Sequence, residues 1–542
     1  MDLPPNTVAS AFDRTATRFG TRPFVCVLPE TASIYGVPAG ELHYDDARSR
    51  IDALRDAYAA GGYGHGHRVG LLLENRPAFF LHWFALNGLG VSVVPINPDL
   101  RSAELEYLVA HSEIALAVAL PARHDALRAA ALAAQRTLPV MADGEVPPAA
   151  PFAAPLQDQA VGVASESALL YTSGTTGRPK GCILPNRYFL HAGAWYAGIG
   201  GLAQLREGEE RMLTPLPLVH MNAMAYSAMA MVLTGGCLIP LDRFHPSSWW
   251  ASVRDSRATV VHYLGVMPAM LMKAPPRADD AAHAVRFGFG AGVDRSLHAA
   301  FEQRFAFPLL EAWAMTETGA GAVVIANHEP RLVGSNCFGR EGADVQVRLV
   351  ADNGEPAAVD EPGELLVRHA GADPRDGFFA GYLKDAAATD EAWDGGWFHT
   401  GDIVRRGADG QLHFVDRRKN VIRRSGENIS AVEVESVLLQ HPLVKAAAVA
   451  AVPDAVRGDE VLACVVCEGV AADERGTAAT GIVDWCLARL AYYKAPGYVA
   501  FVDALPLTAS QKVQRGELKA LALSLVGQGN CIDTVAMKKR PT

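Results

Sequence analysis

Residues 171 to 181 read Tyr-Thr-Ser-Gly-Thr-Thr-Gly-Arg-Pro-Lys-Gly, directly after the apolar run of a strand. Three glycines, four serine or threonine hydroxyls and one lysine fall inside eleven residues. Glycine (Gly174, Gly177) permits backbone conformations in which amide N–H groups converge on an anion. Thr172, Ser173, Thr175 and Thr176 add hydroxyl donors, and Lys180 adds a point charge. This is chemistry for gripping the phosphates of a nucleotide. It is not the Walker arrangement, because Lys180 follows Pro179 and precedes Gly181 instead of standing between Gly and Ser or Thr.

The elements that must hold such a loop are legible around it. From Val69 onward, apolar runs (VGLLL, VSVVPI, IALAVAL) alternate with alanine-rich helical stretches, as α/β layers with buried strands require. Phe79 to Pro98 is the most apolar stretch. His82, Asn87 and glycines interrupt it, so it reads as a buried helix followed by a buried strand rather than a membrane span. From about 334 to 415 the texture changes to short strands separated by turn signals such as Asp409-Gly410, a β-rich subdomain. After a basic cluster, Arg417-Arg418-Lys419, the chain reads strand, turn, helix and two further strands. A separate α+β domain is expected over 417–523, following a body of 1–416. Residues 524–542 read as a tail whose basic residues are solvated.

The chain has 542 residues, half of them apolar, and a net charge of −10. That is enough apolar content for several cores and excludes general disorder. The acidic balance argues against a nucleic-acid partner, which needs a basic face. Eight scattered cysteines do not form a disulfide scaffold, and Cys464 and Cys467 sit three apart in a strand-like run, facing opposite ways. With neither a secretory signal nor a peroxisomal address in view, the cytoplasm is the expected compartment.

The loop at 171–181, with further motifs in order along nearly the whole chain, resembles the superfamily of adenylate-forming enzymes: acyl-CoA synthetases, peptide-synthetase adenylation domains and beetle luciferases. Gly288 to Gly292 resembles the adenine-side glycine turn, with Gly290, Ala291 and Gly292 as contacts. Glu311-Ala312-Trp313-Ala314-Met315-Thr316-Glu317 resembles the segment whose aromatic packs near adenine, whose threonine contacts phosphate and whose glutamate helps hold Mg²⁺. Ala314 stands where that family usually has glycine. Trp397 to Asp402 matches the motif whose aspartate takes the ribose hydroxyls, and Phe414 lies in the next strand toward the nucleotide. Arg417 matches the ribose arginine, Lys419 the hinge pivot, and Lys512 the C-terminal catalytic lysine, although Gln511 replaces the usual glycine before it.

The resemblance implies an α/β fold with a large multi-subdomain body and a small mobile cap, using ATP, Mg²⁺ and CoA. A substrate carboxylate would attack the α-phosphorus, aided by Lys512, Thr176 and the loop, with Glu317 and Thr176 at the metal. A thiol would then displace AMP beneath the turn at Ser425 and Gly426. His220, in a Pro-Leu-x-His-like region, is the carboxylate-side candidate, and His220-Met221-Asn222-Ala223 looks nearest the crotonobetaine/carnitine-CoA ligase branch. Trp195, Tyr196, Tyr263 and Met267 could line an acyl pocket or pack the core. The implied substrate is a small or medium carboxylic acid. A stand-alone adenylation enzyme serving a carrier protein or an amine is the alternative. No residue argues for or against a homodimer.

Overall fold

The computed structural model describes residues 5–172, 178–351, 353–417, 421–467, 469–506 and 513–540. The chain divides into two compact units. One comprises Met1–Pro98, Val109–Leu170 and Gly181–Asp416; the other comprises Asp99–Leu108, Tyr171–Lys180 and Arg417–Thr542.

The first unit is built on three sheets. An eight-stranded sheet runs Val324–Ile325, Leu309–Trp313, Phe287–Ala291, Val260–Leu264, Arg211–Thr214, Cys237–Pro240, Pro23–Val27 and Gly40–His43. Its inner pairs are parallel and its two outermost pairs antiparallel. A seven-stranded sheet contains the expected runs as Arg68–Leu72, Ser92–Pro95 and Leu116–Ala119, side by side and parallel, with Glu166–Thr172 beyond them. The β-rich texture after 334 becomes a five-stranded sheet, in which Val345–Val350, Gly363–His369 and Phe398–Arg406 pair antiparallel in turn. The apolar stretch at 79–98 is the helix Pro77–Gly88 and the strand Ser92–Pro95, both inside the core. Pro77 opens that helix, where its missing N–H costs nothing.

Helix docking in this unit is specified by a buried polar knot. Asn87 donates to Ser167 Oγ (3.0 Å) and Asn186 Oδ1 (2.9 Å), while the amides of Val8 and Ala9 donate to Asn186 and Asn87. These bonds satisfy two of the orphan N–H groups at the start of helix Val8–Phe19 and so fix where it lies.

In the second unit, Val421–Arg424 and Glu427–Ser430 form a hairpin, and Ser430 caps the helix Ala431–Leu438 by accepting from the Glu433 amide. Val444–Asp454 pairs along the whole of Gly458–Cys467. Cys464 is buried there and Cys467 half-buried, packed in the core as free thiols. Lys494 is buried between Glu104 (2.6 Å) and Glu433 (2.8 Å), two carboxylates that satisfy its charge.

The C-terminal segment departs from the solvated tail expected of it. Ile532–Asp533 adds a strand beside Tyr498–Phe501, and Lys538 is buried against Glu460, which also binds Arg424. Arg540 pairs with Asp99 at 2.9 Å. Charge patterning could not show this, because burial of a lysine depends on a carboxylate far away in sequence.

Candidate functional site

The glycine turn is made by two strands and one carboxylate. Gly290 lies in register with Tyr263 on one side and Glu311 on the other. Glu311 Oε2 accepts from the Gly292 amide (2.9 Å) and Oε1 from Val293 (3.1 Å), and the Tyr263 hydroxyl also donates to Oε1 (3.0 Å). Burial pushes the Glu311 carboxyl up, and these donors oppose that. Gly292 has φ +79°, and a Cβ on Gly265 would meet the Gly292 carbonyl oxygen at 1.6 Å, so both positions need glycine. Glu311, expected as a nucleotide contact, thus spends its oxygens on the turn.

The following segment is held by three tyrosines. Tyr188 donates to the Thr316 carbonyl (2.8 Å), Tyr226 to the Gly319 carbonyl (2.9 Å), and Tyr382 to Glu317 Oε1 (2.9 Å). Burial and the Glu317 charge raise the Tyr382 phenol well above its usual range, so it remains a donor. The Met315 amide donates to Thr318 Oγ1, closing the bend. The arrangement presents Thr316 and a buried, oriented Glu317 as hard oxygen ligands, fit for a divalent cation beside phosphate. None of the three tyrosines was singled out from sequence. Their only signal was a phenol inside an apolar run, which must find a partner when buried.

Strand Leu309–Trp313 carries Ala312 and Trp313. The Trp313 indole N–H donates to Asp402 Oδ2 at 2.9 Å, and Asp402 is fully buried. The sequence left both Asp402 oxygens for a diol; the structure commits one to Trp313. Phe414 is half-buried in Leu412–Arg417, its amide bonded to the Asn336 carbonyl.

His220 is half-buried at the entry to a π-helical segment, Asn222–Ala228. Tyr196, Tyr263 and Met267 are buried in the core. Trp195 instead helps line a cavity of about 750 Å³ with Val323, Ile325 and Ala326, with Arg340 and Asp344 among its polar walls.

In the second unit, Thr172 ends the strand Glu166–Thr172 and Lys180 begins Lys180–Pro185, both half-buried. Ser425 and Gly426 form a two-residue turn with φ +50° and +88°, the primed turn that a tight hairpin demands. Ser173, Gly174, Thr175, Thr176, Gly177, Lys419 and Lys512 lie outside the described residues, as does the side chain of Arg417.

Residues 12–383 match the family described as AMP-binding enzyme, and residues 433–512 match the AMP-binding enzyme C-terminal domain. The chain is 34% identical over 483 residues to a feruloyl-CoA synthase of an Amycolatopsis species, covering 88% of this chain and 93% of that protein. It is 28% identical over 500 residues to the crotonobetaine/carnitine–CoA ligase of Shigella flexneri, covering 88% and 92%. The fold matches o-succinylbenzoate CoA synthetase from Bacillus subtilis with a TM-score of 0.79 at 23% identity, over 95% of this chain and 98% of that one.

Proposed function

The chain belongs to the AMP-binding enzyme family and is an AMP-forming acid–thiol ligase, and we propose that it converts a small or medium carboxylic acid to its CoA thioester through the residues described above. The observation that carries this assignment of roles is the trio of tyrosine hydroxyls holding Thr316, Glu317 and Gly319 beside the strand that bears Trp313. Such fixed donors and acceptors cost no reorganisation when charge develops.

In the first half-reaction a carboxylate oxygen of the acid forms a bond to the α-phosphorus of ATP. The bond to the β-phosphate bridging oxygen breaks, and pyrophosphate leaves with its electron pair. The loop 172–180, through Thr172, Ser173, Gly174, Thr175, Thr176, Gly177 and Lys180, positions the phosphates. Lys512 offsets negative charge, His220 stands on the carboxylate side, and Thr316 contacts phosphate. Glu317 and Thr176 would hold Mg²⁺, which would supply positive charge against the phosphates that repel the incoming carboxylate. The turn at Gly290, Ala291 and Gly292, with Trp313, frames the adenine, while Asp402 and Arg417 take the ribose. In the second half-reaction the CoA thiolate attacks the acyl carbon and AMP leaves with the anhydride oxygen, with Ser425 and Gly426 bounding the pantetheine path.

Among the described residues no helix is long and apolar enough to cross a membrane. We place the enzyme in the cytosol, supported by its eight free thiols; a homodimer is compatible with this. The test is ATP-dependent AMP release with CoA and a panel of short, aryl, betaine-type and long-chain acids. Thioester formation with a short or aryl acid is expected. Preferred turnover of palmitate, or transfer only to an amine or carrier thiol, would overturn it.

A further inference from the structure

Among the described residues, one group of histidine, cysteine and carboxylate side chains converges closely enough to share an ion. It comprises His191, Asp344 and His369, with one ligand atom of each within 4.8 Å of the others. All three belong to the first unit. His191 stands in the helix Asn186–Gly198. His369 ends the strand Gly363–His369, and Asp344 directly precedes the partner strand Val345–Val350, whose first residue is in register with His369. The Ala370 amide donates to the Asp344 carbonyl at 2.8 Å, so one ladder fixes both residues on the sheet side.

The ring of His191 is seated by Gly377, which has φ +77°. A Cβ at 377 would lie 2.2 Å from His191 Nδ1, so glycine is what lets the imidazole rest against this backbone. The two imidazoles meet edge to face with ring centroids 5.9 Å apart. Two histidines sharing a zinc ion, each nitrogen about 2.0–2.1 Å from the metal, place their centroids roughly 5–6 Å apart. The rings therefore already stand at the spacing of shared coordination. A tetrahedral site needs its ligand atoms roughly 3.4 Å apart, and side-chain rotation supplies that closure, most freely at the exposed Asp344.

Little competes for these ligands. Among the described residues the side chains of His191 and Asp344 make no hydrogen bond, and His369 Nδ1 accepts from the Gly371 amide (3.0 Å) in an exposed turn. An ion thus displaces at most one exposed hydrogen bond. Asp376, whose carboxylate chelates Arg187 one helical turn before His191, adds negative charge beside the ring. Two imidazoles and one carboxylate suit Zn²⁺ and its neighbours, whereas Mg²⁺ takes oxygen ligands.

We propose that His191, Asp344 and His369 bind one divalent transition-metal ion of the Zn²⁺ class, with water completing its coordination. The ion braces the helix Asn186–Gly198 against the five-stranded sheet. That helix also carries Tyr188, which donates to the Thr316 carbonyl, so the brace steadies one of the three tyrosines of the candidate site. This site is separate from the Mg²⁺ expected at Glu317, and it stands whether or not the ligase reading does.

The experiment titrates the full chain, stripped with a chelator, with Zn²⁺ against a chromogenic competitor at neutral pH and in millimolar Mg²⁺. One equivalent is expected to bind, and Mg²⁺ should not displace it. Asp344→Asn and His369→Gln should each weaken that equivalent by about 100-fold or more, since loss of an outer-shell partner alone costs about 10–100-fold. Zn²⁺ should raise the Tm of the wild type and leave that of both variants unchanged. The metal-free Tm values should agree for all three proteins, which separates loss of the ion from misfolding. Absence of a stoichiometric equivalent in the wild type, or one bound equally well by both variants, overturns the proposal. Neither readout uses AMP release, so failure here leaves the ligase reading to its own test.

Discussion

The indole N–H of Trp313 donates to Oδ2 of the buried Asp402 at 2.9 Å, joining the last residue of one sheet's strand to the middle of another's. The two residues are 89 positions apart and come from separate motifs. The bond gives a buried carboxylate one fixed donor, which holds the acid in place.

Removing that donor should therefore weaken nucleotide binding before it weakens chemistry. Trp313→Phe keeps an aromatic ring but is smaller than the indole and lacks its N–H, leaving a buried carboxylate short of about 1–3 kcal/mol of hydrogen bonding. The dissociation constant for AMP, measured by calorimetry, should rise by about 5- to 20-fold, with kcat at saturating ATP within about 3-fold of wild type. An unchanged constant would show that Asp402 needs no help from Trp313.

Tyr382 holds Glu317 through one phenol bond of 2.9 Å. Tyr382→Phe should raise the Mg²⁺ concentration for half-maximal AMP formation by about 10-fold or more, the worth of one hydrogen bond to a charged group. Glu317→Gln should raise it far more. Magnesium titrations that superimpose for wild type and Tyr382→Phe would remove Glu317 from the metal.

Lys512 is proposed to act only in the first half-reaction. Lys512→Ala should cut acid-dependent pyrophosphate exchange by about 10²–10³-fold, as loss of one positioned transition-state donor does. Thioester formation from supplied acyl-adenylate should be largely retained. Undiminished exchange in the variant would end the assignment.

Gly426 tests the second half-reaction in the opposite sense. At φ +88° an alanine costs about 1–2 kcal/mol of backbone strain. Gly426→Ala should slow thioester formation by about 10-fold while pyrophosphate exchange stays within about 2-fold of wild type. Equal losses in both would mean that the hairpin serves folding alone.

Acid stability should depend on Glu302. Burial alone would raise its carboxyl, but bidentate Arg331, His298 and the Leu309 amide bring it down to about 2. A depressed carboxylate contributes stability above its unfolded value, near 4.5, that is lost as pH falls toward 2. The contribution is at most about 3 kcal/mol. Thermal denaturation of Glu302→Gln should show a lower Tm at pH 7 and a smaller fall between pH 5 and 3 than wild type. Parallel curves would contradict it.

Much of the molecule was legible before folding. The alternation of apolar runs with helical stretches carried the α/β body, because a strand buried on both faces must be continuously apolar whatever its neighbours are. The Asp409-Gly410 turn and the shift to short strands after 334 carried the antiparallel sheet for a similarly local reason. Lys538 was misread because its partner, Glu460, stands 78 residues away.

By itself, the sequence determined which chemical groups are present and in what order: the hydroxyl- and glycine-rich loop at 171–181, the glycine turn at 288–292, the Thr316–Glu317 pair and Asp402. These depend on residue type and short spacing, which the covalent chain sets directly. Only the tertiary structure decided how they are aimed: Glu311 turned inward to the Gly292 and Val293 amides, three tyrosines closing on 316–319, and Trp313 on Asp402. The reason is physical. A side-chain donor takes the acceptor that packing brings within about 3 Å, and the apolar surfaces that do the packing are spread over hundreds of residues.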